Sequence, residues 1–512
     1  MPKQKQTFSD EYSRQRGNLA DCSGERKTGG YASSGAGREI CEEIVCCIWF
    51  GEHFHSDQTV TCDGRRVEVR SPGWWNVESG PDFRHAELLL EGRGRLSGSV
   101  EIHTYSSDWR AHGHDRQSSY ADVVLHVVMW NDLGEAFVSN ASGEPIPQLE
   151  LSRFLNADLA DLVDTLGAET EPRPAAPAAR GCRDIAGKSG VNEQAIAELL
   201  DLAGDERVLA RMERYRLALE RGAYDQVLYE GVLEALGYKN NVAPCRQLSR
   251  LLPLEKLRAD VPLDALAGEV GLRLEAIFLG AAGFIPPAED NAVQPDSRTH
   301  VEELRAIWNC ASGRMGVKSM PGESWALSGA RPLNFPQRRL AGMARYLAGG
   351  MRAGLFKTVL EIIAGAGTAP GAERKVIRGL ERLFTELKDP FWGRHCSFTS
   401  RPLARGGKLI GRGRAGIIVG EVILPIALCK ARAEEDAGLE DLIHRTHSAY
   451  PRQEGNAVTR MMAGMLFDDE KKARRIVNSA RRQKGLYQIY RDFCGRDDVS
   501  CDRCLLYAAA RK

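Results

Sequence analysis

The residues of this chain best equipped for chemistry crowd into one stretch, positions 73–130. Asp82 lies in a Gly-Pro-Asp-Phe turn ahead of an apolar segment at 86–90. Glu101 and His103 follow, two apart, in Ser-Val-Glu-Ile-His. On a strand, a spacing of two projects Glu101 and His103 from one face and leaves Val100 and Ile102 on the other. A turn carboxylate beside such a pair suits a Mg²⁺- or Mn²⁺-dependent phosphodiesterase. Asp82 and Glu101 would supply hard oxygen ligands, and His103 would position water or accept its proton. Glu42, on a preceding helical segment, would add a further carboxylate. The competing reading is that Asp82 only caps a turn and Glu101 is a solvated strand residue.

A second constellation follows closely, Asp108-Trp-Arg-Ala-His112-Gly-His114-Asp115. Two imidazoles on a turn can share one zinc ion, so His112 and His114, with Asp108, form an alternative zinc-hydrolase centre. The favoured reading is a loop packed over the first site, with Asp108, His112 and His114 facing substrate. A polar loop held by side-chain hydrogen bonds of Asp108 and Trp109 is the structural alternative. His126, alone in an apolar run, reads as a hydrogen-bonded core histidine.

The far end of the chain carries Cys494, Cys501 and Cys504, a spacing that suits zinc or an iron–sulfur cluster. Cys182 is the preferred fourth ligand, with Cys396 and His395 behind it. Two basic runs suit a phosphate backbone: residues 401–414, which include Arg412 and Arg414, and residues 471–484. A solvated helix face explains the second run equally well. The string Gly411-x-Gly413-x-x-Gly416 matches a dinucleotide fingerprint, but without a strand before it or a clear helix after it, and is set aside.

The elements that must position these groups divide the chain in two. Residues 1–37 are polar, without apolar periodicity, and read as a disordered tail. Residues 38–165 read as a compact α/β unit: a helix at 39–53, a hairpin around Asp63-Gly64, strands, a short helical loop at 108–120, and a buried strand at 123–129. A Pro/Ala-rich linker falls within 166–185. From 186 to 512 the periodicity is helical, at 193–202, 206–220, 225–236, 263–279, 338–348, 355–363, 376–387 and 457–467. A β-like run at 415–426 interrupts it. The fold class is therefore α+β.

Composition narrows the classes of function. The chain is 43% hydrophobic and 27% charged with a formal net charge of zero, so attraction to nucleic acid would come from local patches. No run approaches a membrane span, and the polar N-terminus does not read as a secretory signal. Thirteen scattered cysteines point to a reducing cytoplasm rather than a disulfide scaffold.

The blocks Gly80-Pro-Asp-Phe83, Gly98-Ser-Val-Glu-Ile-His103, Ser107-Asp-Trp109, His112-Gly-His114 and Leu125-His-Val-Val128 resemble a bacterial family, domain of unknown function 2851. Later blocks extend the resemblance over nearly everything from about residue 39 onward. They are Gly204-Asp-Glu-Arg207, Glu234-Ala-Leu-Gly-Tyr238, Gly280-Ala-Ala-Gly-Phe284, Arg331-Pro-Leu-Asn-Phe-Pro336 and Phe391-Trp-Gly-Arg-His395. Cys182 and the three terminal cysteines also fall where that family carries cysteines. The N-terminal unit is further similar to the PD-(D/E)XK nuclease superfamily. That likeness implies a restriction-endonuclease-like domain, with Asp82 and Glu101 as the paired acids, His103 in place of the usual lysine, and Glu42 as the helix acid. It also implies DNA or RNA as partner and, from some members, an iron–sulfur cluster closed by cysteines. The expected activity is phosphodiester hydrolysis, against a zinc-dependent hydrolase or a non-catalytic binding scaffold.

Overall fold

The computed structural model describes residues 8–21, 40–156 and 192–494, apart from 57, 77–79, 239–240, 263, 328–330 and 468, together with 159, 162 and 504–510. The protein is α+β, with a mixed sheet first and helices after it. Helix α1 (Glu11–Asp21) precedes the sheet unit, which begins with helix α2 (Glu42–Gly51). Strands β1 (Val67–Ser71), β2 (Trp74–Trp75), β3 (Phe83–Leu90) and β4 (Gly94–Tyr105) follow. A short helix α3 (Asp108–Ala111) leads to β5 (Val123–Trp130), β6 (Phe137–Ser139) and β7 (Pro145–Glu150).

Strand order is β1-β3-β4-β5-β7-β6, with β2 also pairing β3. The β3–β4 hairpin turns on Gly92 and Gly94, both at positive φ, where a side chain would be strained. Beyond it the sheet changes character, because β4–β5 and β5–β7 are parallel while β6–β7 is antiparallel. A parallel pair needs a crossover, and the 108–120 loop supplies the one between β4 and β5.

The two faces of this sheet differ in kind. Ile44, Val45, Ile48 and Trp49 of α2 pack on Val100, Ile102, Leu125, Val127 and Leu149. The opposite face carries buried Glu101, His103, His126 and Gln148, capped by Trp109 and Tyr120. Alternation along β4 thus sends its apolar residues to α2 and its polar ones to a closed chamber. Buried polar groups are costly unless partnered, which makes the second face the place to look for function.

The helical region corrects several expectations. Residues 193–202 and 206–220 form one helix, α4 (Glu193–Leu219). Gly204, within that helix, is where helix Ala480–Ile489 crosses: a Cβ there would lie 2.2 Å from the Arg481 carbonyl oxygen. The apolar run at 415–426 is helix, not strand, running through Arg412–Ile418, a π turn at Val419–Ile423, and Leu424–Ala433. It is buried nearly all round, so its composition lacks the one-sided pattern that marks a surface helix. The Gly411–Gly416 string therefore does open a helix, though no strand precedes it.

The N-terminal tail is also partly folded, since Phe8 and the fully buried Tyr12 anchor α1 against the helical region. Two apolar anchors in a polar sequence leave no periodicity to detect. The hairpin around Asp63-Gly64 is a single bridge between Val60 and Arg66. The Pro/Ala linker lies outside the described residues. The two regions meet where Arg250 stacks on Phe50, 4.2 Å from the ring centroid, and Gln247 donates to the Gly73 carbonyl oxygen at 3.4 Å.

Candidate metal centre

The site is built from the backbone outward. The Asp82 N–H donates to Glu101 Oε2 at 3.0 Å, and Asp82 Oδ2 accepts from the Ile102 N–H at 2.9 Å. This reciprocal pair follows from register, because Phe83 sits opposite Val100 in the antiparallel β3–β4 ladder. The Asp82 carbonyl oxygen and Pro81 carbonyl oxygen accept from Asn76, which holds the turn at its other end. Two carboxyls are thereby fixed side by side in a poorly hydrated place. Burial drives the Asp82 carboxyl far above the usual range, and Glu101 and Glu42 add to it. Burial and Glu42 do the same to Glu101. Like charges this close cannot both ionise cheaply, so the pair holds a proton at neutral pH.

Next to the carboxyls runs a line of hydrogen-bonded imidazoles. In the parallel register Glu101 faces His126, and His126 faces Gln148. His126 Nδ1 lies 2.9 Å from Gln148 Oε1, while Gln148 Nε2 donates to the Glu135 carbonyl oxygen at 2.7 Å. That carbonyl can only accept, so the amide orientation is set and Oε1 must accept from His126 Nδ1–H. A neutral His126 then has its lone pair on Nε2, 2.8 Å from His103 Nδ1. His103 must donate there, which leaves the lone pair of His103 on Nε2. Both rings are neutral: burial pulls His126 down to about 3, and burial with the neighbouring imidazoles holds His103 lower still.

The 108–120 loop closes over this lone pair. Trp109 is fully buried, donates from Nε1 to the Ser139 carbonyl oxygen at 3.0 Å, and packs against His126. Gly113, at φ +74°, makes the turn that lets His112 and His114 both point inward. His112 Nδ1 lies 3.1 Å from His103 Nε2. His114 Nε2 lies 3.2 Å from Glu101 Oε1, and His103 Nε2 lies 3.7 Å from the same oxygen. Nitrogens of His103, His112 and His114 fall within 4.8 Å of one another. His114 is buried, yet neither ring nitrogen is aligned for a hydrogen bond. His112 is exposed and forms the mouth.

The two constellations separate in the sequence are thus one site. Asp82, Glu101, His103, His112 and His114 converge, and the charge of Glu42 is felt by both carboxyls and by His114. Asp108 does something else: its Oδ2 accepts from the Tyr105 N–H at 3.0 Å and shapes the turn rather than facing substrate. Gln148 and Tyr120 also belong to the site, though no motif in the sequence marks them. The signal for Gln148 was a polar residue inside the otherwise apolar stretch of β7. The ring of Tyr120 covers His114 at 3.9 Å between centroids, and burial pushes its hydroxyl up to about 12.

The basic runs lie elsewhere; Arg401, Arg405 and Lys408 are exposed, while most of the other cations meet the protein's own groups. Arg414 donates to the Ala235 carbonyl oxygen at 2.9 Å and stacks on Tyr238, so it is an interior strut and not a substrate contact. Arg412 pairs with Glu381 at 3.0 Å. In the 471–484 run, Arg474 meets Glu470, Lys472 and Arg475 meet Glu193, Arg481 meets Asp205, Arg482 meets Asp201, and Lys484 meets Glu421. These cations neutralise the protein's own acids, which a count of residues along the chain cannot foresee. Cys182 and Cys501 lie outside the described residues. Cys494 and buried Cys504 border one apolar cluster with Tyr12 and Leu506. His395 and Cys396 are placed apart from them, with His395 Nε2 3.1 Å from Asp296.

Fold and site together define an α+β protein whose mixed sheet carries a buried carboxylate–histidine centre under a short crossover loop. The chain belongs to the family described as protein of unknown function (DUF2851), whose model matches residues 42–456 and so takes in the whole sheet and the site. No curated protein matches the chain, and no solved structure does. Among the described residues, no helix is long and apolar enough to cross a membrane.

Proposed function

We propose that this protein is a metal-dependent hydrolase of phosphodiester bonds, nuclease-like in chemistry, with DNA or RNA as its substrate class. The observation that carries the reading is the reciprocal hydrogen bonding of Asp82 and Glu101, which sets two acids with displaced proton affinities beside three imidazoles. A divalent cation held at Glu101 would polarise the scissile phosphate and make water a better nucleophile. The chain's own groups account for the rest. Asp82, kept protonated by burial and by Glu101, can deliver a proton to the departing oxygen. Exposed His112 meets substrate at the mouth, while Trp109 and Tyr120 exclude water behind it.

The 471–484 run offers little free charge to a polynucleotide, since six of its seven cations meet the protein's own acids. Nucleic acid as partner rests on the resemblance to PD-(D/E)XK nucleases. The cytoplasmic setting rests on the cysteine usage of the sequence.

The test is direct. Purified protein is mixed with Mg²⁺, Mn²⁺ or Zn²⁺ and single- and double-stranded DNA, RNA and a chromogenic phosphodiester. Cleavage that is lost in Glu101→Ala and Asp82→Asn supports the reading. No cleavage of any of these, or cleavage indifferent to Glu101→Ala, removes it. A second reading, a zinc-dependent hydrolase of a smaller substrate, draws on the near-complete burial of Glu101, His103 and His114. Turnover of small esters without cleavage of polynucleotides would favour it.

A further inference from the structure

The geometry points to a zinc-class transition-metal site with His103, His112, His114 and Glu101 as ligands, oriented from behind by the pair His126–Gln148. This deepens the hydrolase reading and rests on it for the purpose of the site, but four features of the structure point to the ion itself.

First, His114 is buried with neither ring nitrogen aligned for a hydrogen bond, although Nε2 lies 3.2 Å from Glu101 Oε1. A buried polar group without an aligned partner is costly, and a ring nitrogen that faces a carboxylate is satisfied by a cation between them. Second, the spacing fits. Ligands about 2.0–2.2 Å from a tetrahedral ion stand about 3.3–3.6 Å apart. Three of the separations are close to this, at 3.1 Å for His103–His112, 3.2 Å for His114–Glu101 and 3.7 Å for His103–Glu101, and the three imidazole nitrogens lie within 4.8 Å of one another, a spread that a bound ion would draw in.

Third, the protons are already arranged. The Glu135 carbonyl oxygen orients Gln148, Gln148 sets the tautomer of His126, and His126 sets that of His103, whose Nε2 lone pair is delivered to the centre. A ligand imidazole held through its other nitrogen is the usual outer support of a metal site. Glu101 is prepared the same way, because Oε2 is taken by the Asp82 N–H and Oε1 turns to the imidazoles. Fourth, the donor set discriminates between metals. Mg²⁺ prefers oxygen ligands and retains water, whereas three imidazoles and one carboxylate suit zinc and its neighbours.

The competing account is a plain histidine network closed by the His103–His112 hydrogen bond, with no ion. Metal binding decides between them, using the whole 512-residue chain stripped with a chelator and titrated with Zn²⁺ and with Mg²⁺. The expected result is zinc bound at least a thousandfold more tightly than Mg²⁺, with affinity falling a hundredfold or more in His112→Ala and in His114→Ala. His112 is exposed, so its variant keeps the fold testable. Gln148→Leu, checked for retained helicity and cooperative melting, should lose about 10–100-fold through the tautomer of His103 alone.

Cobalt substitution separates this site from any cysteine-bound ion. Visible d–d bands without thiolate charge transfer, lost in His114→Ala, support the inference. Zinc bound no better than Mg²⁺, or zinc binding unchanged in both histidine variants, overturns it. Phosphodiester cleavage that proceeds with Mg²⁺ in His112→Ala/His114→Ala would leave the hydrolase reading intact and refute this one. Tight zinc binding at the histidines without phosphodiester cleavage would do the reverse.

Discussion

His103 Nδ1 and His126 Nε2 meet at 2.8 Å across the parallel strands β4 and β5, and this contact governs what the site can present. Register alone creates it, since Glu101 pairs with His126 and His103 lies two residues further along the same face. One hydrogen bond at the back of the sheet therefore decides which nitrogen of His103 faces forward.

The carboxyl pair should carry the chemistry. Glu101→Ala removes both the acid and the acceptor for the Asp82 N–H. Asp82→Asn keeps the shape and removes the acid. We expect the phosphodiester cleavage proposed above to fall by at least a hundredfold in each, read from initial rates at saturating metal, with the melting temperature of Asp82→Asn nearly unchanged. Equal loss of fold and rate in Asp82→Asn would assign it a structural part only.

The same pair predicts a pH signature in the metal-free protein. Glu101 titrates near 4.5 when unfolded and is raised to about 8 when folded, so the native state binds the extra proton between those values. Stability from this group is complete below about pH 4.5 and is lost as pH rises towards about 8. Glu101→Gln cannot ionise. Its stability relative to wild type should therefore climb by a few kcal/mol, on the order of 1.4 per unit of pKa displacement, between pH 5 and 8. Urea unfolding at several pH values in chelator checks this, and a difference that does not vary with pH refutes it.

A buried ion pair ties α4 to the chain's far end. Asp205 takes a bidentate contact from Arg481 and lies 3.3 Å from His444 Nε2. Burial alone would raise its carboxyl, but the hydrogen bond from His444 and the charge of Arg481 win and hold it below the ordinary value. Asp205→Ala strands a buried guanidinium and should cost about 3–5 kcal/mol by denaturant unfolding. A loss under 1 kcal/mol would show that the pair is dispensable.

Close helix crossing is a separate wager. At Gly485 a Cβ would lie 2.1 Å from the Leu200 carbonyl oxygen. Backbone cannot yield as a side-chain tip can, so Gly485→Ala should destabilise by about 1–3 kcal/mol or more despite alanine's better helix propensity. Gly464, with nothing near its Cβ position, is the control, where alanine should be neutral or stabilising.

What the amino-acid sequence determined by itself was local. Period-two alternation put Glu101 and His103 on one face of β4, and apolar runs marked β5 and most helices, because those signals depend only on backbone geometry. The α+β division and the family could also be read there. Tertiary structure alone decided that Asp82, Glu101 and the His112–His114 loop share one centre, since strand register and the Gly113 turn act between segments. It likewise decided that Asp108 shapes a turn, that Arg414 and most of the 471–484 cations serve internal contacts, and that Gln148 sets the tautomer of His103. Charge and hydrogen bonding are properties of what a side chain meets, and distance along the chain does not report it.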